Sequence, residues 1–370
     1  MRVSYCKCCV TPTTRPRISF NADGICNACL NADAKQSIDW SARRREFVEF
    51  IDRHRARDGH YDCIVPWSGG KDSSTIAHRL KTEFGLNPLL VTFSPLIPNE
   101  VGRHNREELL KCGFDHLMIR PNQKVARQLA RRFFIERGNP KVAWDAGVTA
   151  VPVRIAVQLN IPLVFYAEHG ESEYGGHVLS EEHKKIRDLS EVLEHLVGDD
   201  PCNWTGNGIE DRDLAQYQWP DVDSVDRLGV KVVYFSYFFR WSVHENYLYI
   251  KDKIDFHVAD KGRSCGTFTN YDSLDDKIDA LYYYMQLIKF GFGRTVRDAS
   301  RMIQQGRLDR AQALDLVSRY DTEFPADHLD EVLDYLGLDE QHFTAIVDRH
   351  RLPDLWTFRG NQWELRHPPR

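Results

Sequence analysis

The sequence predicts an α/β protein: a doubly wound parallel sheet, preceded by a small cysteine-rich module and followed by a mostly helical C-terminal region. Three observations carry this reading. Apolar strand-like runs alternate with helical runs from about residue 62 to about residue 167. The run "IPLVFYAE" is continuously apolar, as befits a strand covered on both faces. Five of the nine cysteines fall within the first 29 residues.

At 370 residues the chain can bury a large core and hold more than one domain. Its 42% apolar and 28% charged content is that of an ordinary globular protein. A net charge of −5 offers no broad basic field, which argues against nucleic acid as a partner. There is no apolar run of about 18 residues or more, so no membrane partner is expected. The start, "MRVSYCKCC", lacks an apolar signal core, and the expected location is the cytoplasm. An odd number of cysteines there speaks against a disulfide framework.

The elements follow in order. Residues 1–35 read as one module, with "ISFNADGIC" as two short strand arms around the Asp23-Gly24 turn. Next, Phe47, Phe50 and Ile51 share one face of a helix. "DCIVPW" is the first strand, and Ile76, Leu80 and Phe84, spaced by four, make residues 72–84 a helix. "PLLVTF" and "HLMIR" are strands on either side of a helix around residues 103–112 that carries Leu109 and Leu110. "KVARQLARRFFIERG" and "TAVPVRIAVQLN" are helical, and Pro152 must start or kink the second. "IPLVFYAE" closes the series. Beyond residue 180 the pattern weakens: "EVLEHLVG" reads as helix and "VKVVYFSYFF" as strand. "DDKIDALYYYMQLIKF", "TVRDASRMIQQG", "RAQALDLVSRY" and "HLDEVLDYLG" read as further helices. The expected organisation is a module over residues 1–35, an α/β domain over 36–255, and a helical region over 256–370 that meets substrate and partners.

The chemistry concentrates in "WSGGKDSS". Ligands of doubly wound sheets sit at the C-terminal ends of the strands, and this loop follows the first one. Gly69 and Gly70 let backbone N–H groups curl around an anion, and the helix behind them adds unpaired donors and a partial positive charge. Ser68, Ser73 and Ser74 offer hydroxyls, Lys71 a full charge, and Asp72 a magnesium ligand. The kinase-type phosphate loop does not fit, because Val65 stands where its first glycine belongs and Asp72 follows the lysine. At the N-terminus, Cys6-x2-Cys9 and Cys26-x2-Cys29 have the spacing of a closed four-thiolate zinc site, structural rather than catalytic. Cys8 is left over. Redox or sulfur-relay cysteines are the rival reading.

The loop resembles the S-G-G-x-D-S signature of the PP-loop ATP pyrophosphatases. Several longer runs resemble one branch of that superfamily, the WbpG/PseA-like N-acetyl sugar amidotransferases. These runs are "YCKCCVTPTTRPRISFNADGICNAC", "EHGESEYGG", "GTFTNYDSLDDKIDALYYYMQLIKFGFGRTVRDAS" and "RYDTEFP". The resemblance spans about residues 5–325. It implies ATP, Mg2+ and a structural Zn2+. It also implies that AMP is transferred to the acetamido oxygen of an N-acetyl sugar, nucleotide-linked and bound for surface polysaccharide or nonulosonic acid. Ammonia then displaces AMP to leave an acetamidino group. Nitrogen would come from separate glutaminase and ammonia-channel barrel subunits, like those of imidazole glycerol phosphate synthase.

On this reading Ser68, Gly69, Gly70, Lys71, Asp72, Ser73 and Ser74 hold pyrophosphate and magnesium. Thr92, Phe93 and Ser94 end the next strand and meet the adenosine. Glu168 joins Asp72 on magnesium, and Glu168 or Glu171 handles the ammonia proton beside Lys71 and Asp72. Glu173, Tyr174, Lys289 and Arg294 face the sugar nucleotide. The plainer reading of the glutamates is an acidic surface loop, and that of Lys289 and Arg294 a helix terminus. Asp275 and Asp276 read as caps, and the tyrosines at 282–284 as core and subunit packing. Two other functions remain. A tRNA thiolase needs a reactive cysteine; Cys63 and Cys112 look like small buried hydrophobes, while Cys202 and Cys265 sit in loops. A non-catalytic nucleotide-binding scaffold is the other.

Overall fold

A computed structural model describes residues 3–56, 60–178, 180–187 and 192–369. The β-rich, apolar runs pair as a five-stranded sheet: β1 (Cys63–Pro66), β2 (Pro88–Phe93), β3 (Asp115–Ile119), β4 (Leu163–Tyr166) and β5 (Lys231–Tyr234). All neighbours are parallel, in the order β3-β2-β1-β4-β5. The chain therefore winds outward from β1 to β3 and then crosses to β4 on the other side. That reversal opens a crevice beyond the C-terminal ends of β1 and β4.

Alternation along each strand sends side chains to two cores. Val65 and Phe165 face the layer built on the Trp40–His54 and Lys71–Thr82 helices, with Phe47, Ile51, Ile76 and Leu80. Phe47 sits at its centre, with the rings of Phe84, Phe165, Phe235, Phe238 and Phe239 at 4.8–5.8 Å. Ile64 and Val164 face the opposite layer, with Leu129, Phe133, Val151 and Val153 from the Gln123–Arg137 and Val142–Leu159 helices. A third core joins Phe134 to Leu281, Met285, Leu333, Phe343 and Trp356 of the C-terminal region.

Pro152 does not start its helix; it sits inside Val142–Leu159. Lacking an N–H, it leaves the carbonyl of Val148 without its helical donor. The Tyr166 hydroxyl of β4 donates there instead, at 3.2 Å, and to the Thr149 carbonyl at 2.8 Å. The strand expected across "VKVVYFSYFF" ends at Tyr234, and Phe235–Tyr237 turn as a 3-10 segment. Phe235, Phe238 and Phe239 then pack over Phe47 instead of extending the sheet. In "EVLEHLVG", Glu191 lies outside the described residues and Leu193–Val197 form a π-helical turn. The helices Asp279–Phe290, Arg294–Gln304, Arg310–Tyr320 and Leu329–Leu336 lie where the sequence puts them. Beyond those expectations are the helices Val243–Lys253 and Glu340–Arg349. So is an antiparallel hairpin of β6 (Trp356–Arg359) and β7 (Gln362–Leu365). Among the described residues no helix is long and apolar enough to cross a membrane.

The cysteine-rich module rests on the rest of the chain. Thr11 donates to Ser300 on the Arg294–Gln304 helix at 3.0 Å. Asn31 and Asn27 donate to the carbonyls of Ser172 and Gly176 at 2.6 and 2.7 Å, and Arg17 forks onto Glu171 at 2.9 and 2.6 Å. Gly175, with φ +78°, allows this approach; a Cβ there would stand 2.6 Å from Ile18.

Candidate functional site

β1 runs through Trp67 and Ser68 into Gly69-Gly70 and the Lys71–Thr82 helix. Gly69 has φ +91°, and a Cβ on it would come within 2.4 Å of the Arg106 side chain. Arg106 in turn donates to the Ser68 carbonyl at 3.0 Å, and the Gly70 N–H donates to the Ser68 hydroxyl at 3.1 Å. The loop is thus held in shape from behind. Above it opens a cleft of about 460 Å3, lined by the loop, by Phe93 of β2 and by Tyr166–Glu168 at the end of β4. Its far wall comes from the segment around residues 271–283.

Charge is unevenly placed in this cleft. Lys71 is 2% exposed and lies between Asp72 and Asp272, 2.8 Å from each. Burial disfavours its charge, but the two carboxylates outweigh burial and raise its pKa. Burial would likewise raise Asp272, but Lys71 and Arg297, the latter at 2.9 Å, hold it well below the usual carboxylate range. Asn246 donates to the second oxygen of Asp72 at 2.8 Å. Across the cleft, Lys141 pairs with Asp279, and Asp145 and Asp275 lie nearby; burial lifts both of these carboxyls to about 7. Lys71 and Lys141 thus face Asp72, Asp145, Glu168, Asp272, Asp275 and Asp279. A carboxylate-rich pocket over a glycine loop suits a hard divalent cation that brings phosphate oxygens with it. The residues present fit magnesium and a polyphosphate.

Glu168 lies at the switch point. Burial, reinforced by the nearby Asp72 charge, lifts its carboxyl to about 7, while Arg301 and a 2.8 Å bond from the Tyr174 hydroxyl pull the other way. The folded state therefore keeps a proton that the unfolded chain releases near pH 4.3. Stability contributed by that proton is present at low pH and lost as pH rises toward 7. Glu168→Gln should accordingly gain thermal stability relative to the parent as pH is raised from about 5 to about 8, a gap read from paired melting curves. A gap that does not change with pH would refute the buried, proton-holding role.

The structure places the other sequence-predicted residues unevenly. Ser74 is fully buried and accepts from the Trp67 indole at 2.9 Å, so its hydroxyl braces the loop. Phe93 lines the cleft, but Thr92 and Ser94 do not. Thr92 is spent on the Trp67 carbonyl and on His116 Nε2 at 2.8 Å, and Ser94 offers its carbonyl to the cleft residue Trp144 at 3.1 Å. Glu171 lies outside the cleft lining, forked by Arg17 of the cysteine-rich module. Glu173 pairs with Lys35 and, with Tyr174, lines a second cavity of about 480 Å3 beside Trp241 and Arg301. Lys289 is remote from the cleft, its aliphatic stem packed near Gly138 and its pKa lowered by burial. Arg294, 3% exposed, donates to the Asp272 carbonyl at 2.7 Å and so buttresses that loop from behind.

Sequence reasoning missed Asp272, Arg297, Lys141, Asp145 and Asp279. The signal available was Lys71 itself: a lysine in the first turn of a helix packed on the sheet requires carboxylate partners once it is buried. Asp276 does more than cap a helix, since it accepts the Leu96 and Ile97 amides at 2.8 and 3.0 Å. Tyr282 and Tyr283 line the cleft rather than a core, and only Tyr284 of the three packs away from it, against Phe324.

In the N-terminal module the ligand atoms of Cys6, Cys9, Cys26 and Cys29 all lie within 4.8 Å of one another. Two of the pairs, Cys6–Cys29 and Cys9–Cys26, stand 4.0 and 3.7 Å apart. A tetrahedron with Zn–S bonds of about 2.3 Å has edges of about 3.8 Å. The backbone N–H groups of Cys8, Thr11 and Cys26 donate to the sulfurs of Cys6 and Cys9 at 3.3–3.4 Å, as thiolates in a knuckle require. The four cysteines fit a structural zinc ion. Cys8 is exposed and outside the set.

The parallel sheet, the S-G-G-K-D-S loop at its switch point and the acidic cleft over it make an α/β protein whose loop resembles the PP-loop signature. Residues 265–367 match the family described as "LPS biosynthesis protein WbpG-like, C-terminal domain", which supports the WbpG-like resemblance read from the sequence. An uncharacterized protein of Methanocaldococcus jannaschii is 36% identical over 87 residues, 23% of this chain and 31% of that protein. The chain therefore spans about a third of that relative's length. A solved structure from the same organism, a predicted subunit of tRNA methyltransferase, is similar over 46% of this chain and 67% of that one. Its identity is 17% and its TM-score 0.25.

Proposed function

We propose that this chain is an ATP-dependent amidotransferase that converts the acetamido group of an N-acetyl sugar, carried on a nucleotide, into an acetamidino group. One observation carries the reading. The WbpG-like region supplies Asp272, Asp275, Asp279, Tyr282 and Tyr283 to the same cleft that the S-G-G-K-D-S loop floors, and Asp272 grips the loop lysine directly. The ATP-type loop and the part of the chain matched to LPS biosynthesis thus build one site.

An acetamide carbon is a poor electrophile, and ATP supplies what it lacks, an adenylyl group that makes the oxygen a leaving group. The chain's own residues do the rest. The loop N–H groups, with Ser68 and Ser73, bind phosphate oxygens, and Lys71 balances their charge. Asp72 holds the divalent cation, and Glu168 either joins it there or, left uncoordinated with burial lifting its carboxyl, takes the proton that ammonia sheds on attack. Ammonia comes from separate glutaminase and barrel subunits. None of the cysteines is among the residues lining the cleft, which counts against a thiolase.

The test is a product assay with ATP, magnesium, ammonium and a panel of nucleotide-linked N-acetyl sugars. AMP and pyrophosphate should form only with the right sugar, whose mass falls by about one unit as C=O becomes C=NH. Formation of ADP, or turnover only on adding tRNA and a sulfur donor, would overturn the proposal.

A further inference from the structure

Outside the cleft, three side chains with no place in the proposed chemistry converge at the surface. His104 projects from the Glu100–Leu110 helix, and Asp255 and His257 lie just beyond the Val243–Lys253 helix. Both imidazoles approach the same carboxylate oxygen through Nε2: His104 at 3.4 Å and His257 at 3.2 Å from Asp255 Oδ2. The rings stack with centroids 3.6 Å apart, and the ligand atoms of all three residues lie within 4.8 Å of one another. His104 Nε2 also lies 2.9 Å from the Asp255 carbonyl, a hydrogen bond that a bound cation would replace. Donors bound at about 2.0–2.2 Å around one tetrahedral ion stand about 3.3–3.6 Å apart, and the two imidazole-to-carboxylate separations lie close to that range.

The arrangement is held from beneath. Asn105, 1% exposed, donates to the His257 carbonyl at 3.0 Å and accepts from the His257 N–H at 2.8 Å. A buried amide thus fixes the backbone of a surface loop residue so that its ring lies over His104.

We propose that His104, Asp255 and His257 form a second metal site, separate from the four-cysteine cluster, for a divalent transition cation such as Zn2+. Two imidazole nitrogens with a carboxylate select such ions over magnesium. The site would fasten together two segments that each reach the glycine loop. One is the helix whose Arg106 holds Ser68; the other leads to Asp272, which holds Lys71.

The test is a Zn2+ titration of the full chain by calorimetry, started with one zinc per chain in the cysteine cluster and with millimolar magnesium present to occupy the carboxylate cleft. The parent should take up a second zinc. His257→Ala should weaken that second binding about 10–100-fold, and the His104→Ala/His257→Ala double variant should abolish it. Added Zn2+ should raise the melting temperature of the parent and not of the double variant. Both variants keep the first zinc and the far-ultraviolet circular dichroism of the parent, which together report that the chain is folded. Failure of the parent to bind a second equivalent, or retention of that equivalent by the double variant, would overturn the proposal.

Discussion

Lys71→Ala should slow AMP and pyrophosphate release steeply and destabilise the fold in one stroke. The loss of a fixed charge at the phosphates is worth on the order of 10²–10³ in rate. The stability cost arises because Asp72 and Asp272 lose the cation lying 2.8 Å from both. Removing one partner from a buried pair costs about 3–5 kcal/mol. Arg297 still reaches Asp272, so the lower end of that range is expected, read from urea denaturation. Asp272→Asn separates the two effects. It leaves Lys71 one partner, Asp72, and should keep measurable turnover while losing stability. Full stability in Lys71→Ala would mean that the lysine is not the hub of this network.

Loss of the zinc-type cluster should have the second large effect. The parent should carry one tightly held zinc per chain by metal analysis, and Cys26→Ser should carry none at that site. Metal binding to such knuckles is itself folding free energy, of the order of 10 kcal/mol. Residues of the module should then become open to proteases in Cys26→Ser, while the sheet stays protected. Turnover should fall as well. The module grips the Gly170–Tyr174 helix through Asn31, Arg17 and Lys35, and Tyr174 of that helix holds Glu168 by its hydroxyl. A protease-resistant, active Cys26→Ser protein would show that the four sulfurs have no structural duty.

The strands and helices between residues 63 and 166 were legible because each carries its own period, and the glycine loop because its residues are consecutive. The four cysteines were legible for the same reason, two short spacings across one turn. Thr92 and Ser94 were not. A strand covered on both faces has no alternation, so nothing local says which side chain faces a ligand. Asp272 was hidden differently. Its role depends on a lysine far away in sequence, and long-range charge pairing leaves no periodic trace. Lys289 and Arg294 were judged by type, yet an arginine that buttresses and one that binds look alike until their partners are placed. The hairpin was within reach: Gly360 and Asn361, both at positive φ, form the dipeptide that a tight turn demands.

The Lys71–Asp272 contact bridges 201 positions of chain, and this sets a clock during synthesis. A ribosome adds about 5–20 residues per second, so about 10–40 s pass between the emergence of the loop and that of its partner. Throughout that interval the strands around the loop can assemble, but the lysine they enclose has only Asp72 to answer it. The nascent α/β half should therefore remain loosely closed at its glycine loop and be a natural client for chaperones. It should lock only when the C-terminal third arrives.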